Sequence, residues 1–263
     1  MVIMTYKRLD SIYQNPMIRE VLSLDAILEL LLIWNDPNST ATDLDHFRQE
    51  FCQHYPDPIC SKLRIRQSTT NSLNNRFLPD EKIRTEAIFT IDDDWYIPAF
   101  QFQHGFNLWK KYPNKLVGFT ARPGFYNDTT KTATYSYQQQ EYYNLVLPGG
   151  GCFFPRHMFD SYWSPRLEQA RQYVHDLMNC EDLLFNFLSV DYPPLYVDVN
   201  NQRKSFPSTM LTKTKRPGLS NRPGHFIQRG KCLAQFAGWF GWPLVSSNVI
   251  WTNASDWNST IDL

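Results

Sequence analysis

Along this chain, short apolar runs alternate with longer segments in which apolar positions recur every three to four residues. Residues 1–6, Leu30–Trp34, 87–91, 116–119 and 145–147 are the apolar runs, and each reads as a buried strand. Residues 17–32 read as a helix passing into the second strand, which ends on the turn Asn35-Asp36-Pro37-Asn38. Pro98 suits a first helical position and opens a helix with Phe102, Phe106 and Trp109 on one face; Pro113 ends it. Ser164-Pro165 opens a helix to about residue 178, and residues 181–188 form a short apolar helix with acidic residues at its start. His225–Phe240 is a closing amphipathic helix with Phe226, Leu233, Phe236 and Phe240 inward. Two polar stretches read as loops: 125–141, lying over the site, and 202–223, mobile and rich in Lys, Arg, Ser, Thr and Pro. Strands and helices in alternation predict an α/β fold.

The chain has 263 residues, enough for one large α/β domain or two small ones, and with 42% hydrophobic and 15% aromatic residues it supports a packed core. Lys+Arg and Asp+Glu are balanced at 26 each, with no basic block, which argues against a general nucleic-acid binder. The longest apolar stretch, 26–34, carries Glu29 and is too short to cross a bilayer. Lys7, Arg8 and Asp10 follow the opening run at once, so it reads as a core strand rather than a signal peptide. The five cysteines (Cys52, Cys60, Cys152, Cys180, Cys232) leave at least one free thiol if disulfides form, and none has C-x-x-C spacing. Sequons at Asn38, Asn127, Asn253 and Asn258 are a mild sign of a secretory origin.

The sharpest local signal is Asp92-Asp93-Asp94, delivered by an apolar strand. The carboxyl ends of strands are where open α/β sheets bind ligands, and hard divalent cations on a diphosphate want carboxylate oxygens. A solvated acidic turn, a phosphatase or a nucleotidyltransferase would also produce such a triplet. Asn179-Cys180-Glu181-Asp182 places two carboxylates at a helix start, either as dipole-stabilised caps or beneath a reacting sugar carbon. Arg229 in the last helix is either solvated or set to neutralise a leaving diphosphate. Arg8, Asn35, Asn71 and Arg76 lie at strand ends or loops that suit contacts to a base, ribose and phosphates. The histidines show no metal-binding spacing, and Cys152 reads as a buried small residue.

Several motifs follow one another along nearly the whole chain. They are Ile3-Met4-Thr5-Tyr6-Lys7-Arg8, Ile33-Trp34-Asn35, Asn71-Ser72-Leu73-Asn74-Asn75-Arg76-Phe77, the Asp triplet, and Val117-Gly118-Phe119 with Arg122. Residues 143–154, Asn179-Cys180-Glu181-Asp182 with Asn186-Phe187-Leu188, and residues 225–232 continue the order. In these the chain resembles the exostosin-type glycosyltransferases, glycosyltransferase family 64. The resemblance implies a single nucleotide-diphospho-sugar transferase domain of the GT-A type over residues 1–263, with a central, mostly parallel sheet flanked by helices. It implies Mn²⁺, a UDP-N-acetylhexosamine donor, a glycan or glycolipid acceptor, and transfer with retention; a non-catalytic sugar-nucleotide or carbohydrate-binding homologue is the alternative.

By position in the motifs, Arg8, Asn35, Asn71 and Arg76 are expected to contact uridine diphosphate. Asp92 and Asp93 are expected to face the donor and Asp94 to ligate the metal. Asp182 is expected as the catalytic carboxylate, with Glu181 beside it and Arg229 steadying the leaving UDP. The resemblance also implies a Cys180–Cys232 disulfide, a Golgi or endoplasmic-reticulum lumen, and membrane association through an N-terminal anchor that has no counterpart in this chain; it allows a homodimer. Glu181 stands where the family often has Asp, and residues 125–140 and 202–223 match poorly.

Overall fold

The computed structural model describes residues 1–138, 142–188, 194–197, 204–205, 219–244 and 247–248. Its centre is a seven-stranded sheet built from β1 (Val2–Thr5), β2 (Leu30–Trp34), β3 (Leu63–Gln67), β4 (Ala87–Asp92), β5 (Val117–Gly118), β6 (Cys152–Pro155) and β7 (Leu195–Tyr196). The order across the sheet is β7-β5-β6-β4-β1-β2-β3. All neighbours run parallel except β6, which is antiparallel to both β4 and β5. The expected mostly parallel sheet is therefore present.

Both faces of the sheet are covered, which is why its strands read as unbroken apolar runs rather than alternating ones. Successive residues of β1 go to opposite layers: Val2 and Met4 to one core, Ile3 to the other. The Ile3 layer packs against α1 (Leu9–Gln14), α2 (Pro16–Leu22), α3 (Ala41–His54) and α4 (Ala99–Lys111). The Val2 layer packs against α5 (Met158–Tyr162), α6 (Glu168–Leu177), α7 (Glu181–Asn186) and α8 (His225–Phe240). Local chemistry starts and stops these helices. Thr40 and Asp43 form a reciprocal capping box at the head of α3, while Lys110 and Lys111 sit at the negative end of α4.

Several expectations need correction. Residues 125–141, read as a loop, contain an antiparallel hairpin that pairs Gly124–Asn127 with Thr132–Tyr135. The Asn127 side chain accepts from the Thr129 and Thr130 amides and so builds the turn. The hairpin is polar because Thr132 and Thr134 face outward, which hid its period in the composition. Phe226 is 41% exposed rather than inward, because the first turn of α8 packs on this hairpin and not on the sheet. Ser164 makes no side-chain cap; a short turn, Pro165–Leu167, precedes α6. Of residues 202–223, only 204–205 and 219–223 lie within the described residues.

Phe153 on β6 is 2% exposed and touches Phe89, Phe102 and Phe106, bridging the sheet to α4. Phe153→Ala is expected to cost about 3–5 kcal/mol of unfolding free energy. Urea titration checks this, and a loss below about 1 kcal/mol would show that the aromatic layer does not hold α4.

Candidate active site

Strand order reverses between β1 and β4: β2 and β3 follow β1 on one side, and β4 lies on the other. The carboxyl ends of β1 and β4 therefore frame a crevice at a topological switch point. Asp93 at the end of β4 is wholly buried, and it accepts from the Thr5 hydroxyl on β1 at 2.8 Å. Arg8, just past β1, crosses the crevice to pair with Asp93 and with Asp94 at 2.9 Å. Asp92 and Asp94 keep side-chain exposures of 33% and 35%, so the triplet alternates: two carboxylates open to the crevice and one below them. Gly149 makes room for Asp92, since a Cβ there would stand 2.6 Å from its carboxylate.

The short helical turn Leu73–Phe77 carries Arg76 to the same crevice, where it pairs with Asp92. Amide groups lock this turn to β2. The Asn35 side-chain amide donates to Asn71 Oδ1 at 2.9 Å and to the Ser72 carbonyl at 3.1 Å, and Asn35 Oδ1 accepts from Asn75 at 2.7 Å. Asn74 is held in turn by the Tyr162 hydroxyl at 2.6 Å. The Asn35 side chain is thus committed to holding the turn, whereas the buried Nε and Nη1 of Arg76 have no hydrogen-bond partner among the described residues.

Across from the triplet, Glu181 and Asp182 begin α7, and both are buried. Asp182 accepts from Arg229 Nη2 at 2.7 Å and from its own helix at Leu183 N–H at 2.8 Å. Arg229, 5% exposed on α8, also reaches Asn179 Oδ1 at 3.5 Å, and its Nε has no partner among the described residues. Met178 and Cys180 have φ of 47° and 76°, a left-handed backbone that L side chains resist, so the turn into α7 is strained. The Cys180–Cys232 disulfide ties that turn to α8, as the resemblance implies. Cys52 pairs with Cys60, while Cys152 is buried and free.

Arg8 joins Asp93 and Asp94, Arg76 joins Asp92, Arg229 joins Asp182, and Glu181 lies within electrostatic reach of Arg76, Asp92 and Arg229. Burial pushes the Asp93 carboxyl up to about 7, against the attraction of Arg8 and with repulsion from Asp94. Burial, then the charge of Asp182, pushes Glu181 up to about 8. Burial also raises Asp92, against Arg76. A carboxylate cluster that resists ionising is suited to a divalent cation. Among the described residues no three His, Cys, Asp or Glu side chains gather closely enough to form a metal cage. Asp92 and Asp94 fit a cation that takes its remaining oxygens from a diphosphate and water. The unspent N–H groups of Arg76 and Arg229 fit that same polyanion.

Three supporting residues escaped sequence reasoning: Thr5 beneath Asp93, Asn75 behind Asn35, and Gly149 beside Asp92. Thr5 and Asn75 stand in the quoted motifs and Gly149 lies within residues 143–154, but none shows a role until the chain folds.

Glu181 ionises near 4.5 when unfolded and near 8 when folded, so between those values the folded state binds the extra proton. Its contribution to stability is therefore present at low pH and is lost as pH rises through that window. Glu181→Gln is expected to raise the melting midpoint in EDTA more at pH 9 than at pH 5. Equal gains at both would contradict a buried, proton-retaining Glu181.

The Glycosyl transferase family 64 domain model matches residues 1–255. Glucosamine inositolphosphorylceramide transferase 1 of Oryza sativa subsp. indica is 31% identical over 224 residues, covering 82% of this chain and 27% of that protein. Exostosin-1 of Mus musculus is 32% identical over 182 residues, covering 67% of this chain and 24% of that protein. The chain thus spans about a quarter of the length of these curated relatives. Among solved structures, the mannosyltransferase PcManGT from Pyrobaculum calidifontis, in complex with GDP-Man and Mn²⁺, is a distant likeness: TM-score 0.49 and 13% identity, covering 91% of this chain and 70% of that one. With its mostly parallel sheet, its acidic crevice and a family match from the first residue to residue 255, this chain belongs to glycosyl transferase family 64.

Proposed function

We propose that this domain transfers an N-acetylhexosamine from a UDP-sugar to a glycan or glycolipid acceptor, with Mn²⁺ and with retention of configuration. The observation that carries the reading is the buried Arg229–Asp182 pair facing the Arg76–Asp92 pair. One carboxylate there can meet an anomeric carbon while two guanidinium groups meet a diphosphate. The relatives' names agree with sugar transfer, one of them to a phosphorylceramide lipid.

In this reading Arg8, Asn71 and Arg76 line the nucleotide side, and Asn35 holds the Asn71–Arg76 turn in register. Asp94 and Asp92 would hold the cation, which when bound would supply positive charge to the departing diphosphate. Arg229 turns part of its donor set from Asp182 to the leaving UDP, stabilising charge where it develops. Asp182, freed of that pairing, stabilises or captures the anomeric carbon on the face opposite UDP. Asp93 stays buried as the anchor that fixes Arg8. No helix among the described residues is long and apolar enough to cross a membrane. The two disulfides favour an oxidising lumen, in keeping with a Golgi or endoplasmic-reticulum setting.

The test is UDP release across UDP-hexoses and UDP-N-acetylhexosamines, with Mn²⁺ and with EDTA. An N-acetylhexosamine donor should lead, and chelation should abolish turnover. Asp182→Asn and Arg229→Ala should each lower kcat by about 100-fold or more while UDP still binds. UDP binding without release from any donor by folded protein would replace this reading with that of a sugar-nucleotide-binding homologue.

A further inference from the structure

The hairpin of Gly124–Asn127 and Thr132–Tyr135 lies along one face of α8. Strand alternation turns Ala133 and Tyr135 to the helix and leaves Thr132 and Thr134 outside. The facing helix positions are Phe226, Arg229, Gly230 and Leu233, spaced as one helical stripe. At Gly230 the two elements touch backbone to backbone: a Cβ there would stand 2.9 Å from the Ala133 carbonyl oxygen. Two residues further along the strand, the Tyr135 ring stacks parallel on Phe226 with centroids 6.4 Å apart. The same ring takes the Arg229 guanidinium carbon at 4.5 Å from its centroid.

The hairpin is thus seated at Gly230 and reaches the guanidinium next to it. That guanidinium has a particular need for such a hold. Its Nη2 pairs with Asp182, its Nη1 reaches Asn179 Oδ1 at 3.5 Å, and its Nε has no partner among the described residues. In the proposed reaction part of this donor set passes from Asp182 to the departing diphosphate, and an ion pair cannot steer the group while it is being exchanged. A ring face can, because its quadrupole attracts the cation itself and not one chosen orientation of N–H donors.

We propose that Tyr135 is a positioning residue of the transfer reaction, its ring holding the Arg229 guanidinium in place while the hydrogen-bond partners of that group change. The proposal rests on Arg229 serving the leaving group, as above, and Tyr135 acts through Arg229 rather than on the sugar. Because the leaving charge develops only in the transition state, loosening Arg229 should appear in kcat more than in donor KM.

The experiment compares Y135F, Y135L and Y135A in the full chain, with turnover referred to folded protein by near-UV circular dichroism. It has two readouts: steady-state UDP release, and the Nε–H resonance of Arg229 by NMR, assigned through its loss in R229K. Y135F should keep kcat within about threefold and retain the upfield ring-current position of the Arg229 signal. Y135L and Y135A should lose about tenfold in kcat with donor KM within about threefold, and their Arg229 signal should move downfield. Y135L matching Y135F would show that bulk and not the ring matters, and an unmoved signal in Y135A would remove the contact; either overturns the proposal. If wild-type protein releases UDP from no donor, the transferase reading falls by itself, while the Arg229 resonance still decides whether the ring holds the guanidinium.

Discussion

Charge buried at the switch point of the sheet is the constraint around which the rest of this structure is arranged. Asp93 is wholly enclosed at the end of β4 beside Asp92 and Asp94, and the buried Glu181 feels the charges of Asp182 and Asp92. Removing a carboxylate from water costs several kcal/mol unless a counter-charge goes with it. Arg8, Arg76 and Arg229 supply that counter-charge, each brought in on a different element. The crevice therefore sets three guanidinium groups against five carboxyls, and a polyanion that brings its own cation can enter it by exchanging partners with them.

Such exchange requires that the elements themselves stay still. On one side of the crevice, interlocked amides of Asn35, Asn71 and Asn75 fix the turn that carries Arg76. On the acidic side, a strained left-handed turn through Met178 and Cys180 is held to α8 by a disulfide, which keeps Asp182 and Arg229 in register. The hairpin packed at Gly230 completes the frame from the outside. In the proposed reaction the two sides differ in kind, because one presents unspent donors and the other lets an ion pair open.

Legibility in the sequence followed burial. β1, β2 and β4 are wrapped on both faces, so they stand out as apolar runs, and α4 and α8 show their amphipathic stripes between clear stops. The hairpin did not stand out, because its outward threonines are as polar as a loop and its inward Ala133 and Tyr135 are only partly buried at the edge of the core. For the same reason Phe226 was misplaced: a helix stripe shows which residues share a face, but not what covers that face. The candidate site residues were found through ordered motifs. The roles of Asn35 and Asp93 as holders came only from their hydrogen-bond partners on distant segments.

By itself the sequence determined the class of the fold, the family, and the list of acidic, basic and amide residues that meet at the site, since these depend on local period and on residue identity in order. The tertiary structure decided which of them pair. Arg8 answers Asp93 and Asp94, Arg76 answers Asp92, and Arg229 answers Asp182, across 86 residues for Arg8–Asp94, 16 for Arg76–Asp92 and 47 for Arg229–Asp182. It also decided which carboxylates lie open and which lie buried. Charge interactions act through space and depend on dielectric and distance, and neither quantity is written along a chain until the sheet brings its strand ends together.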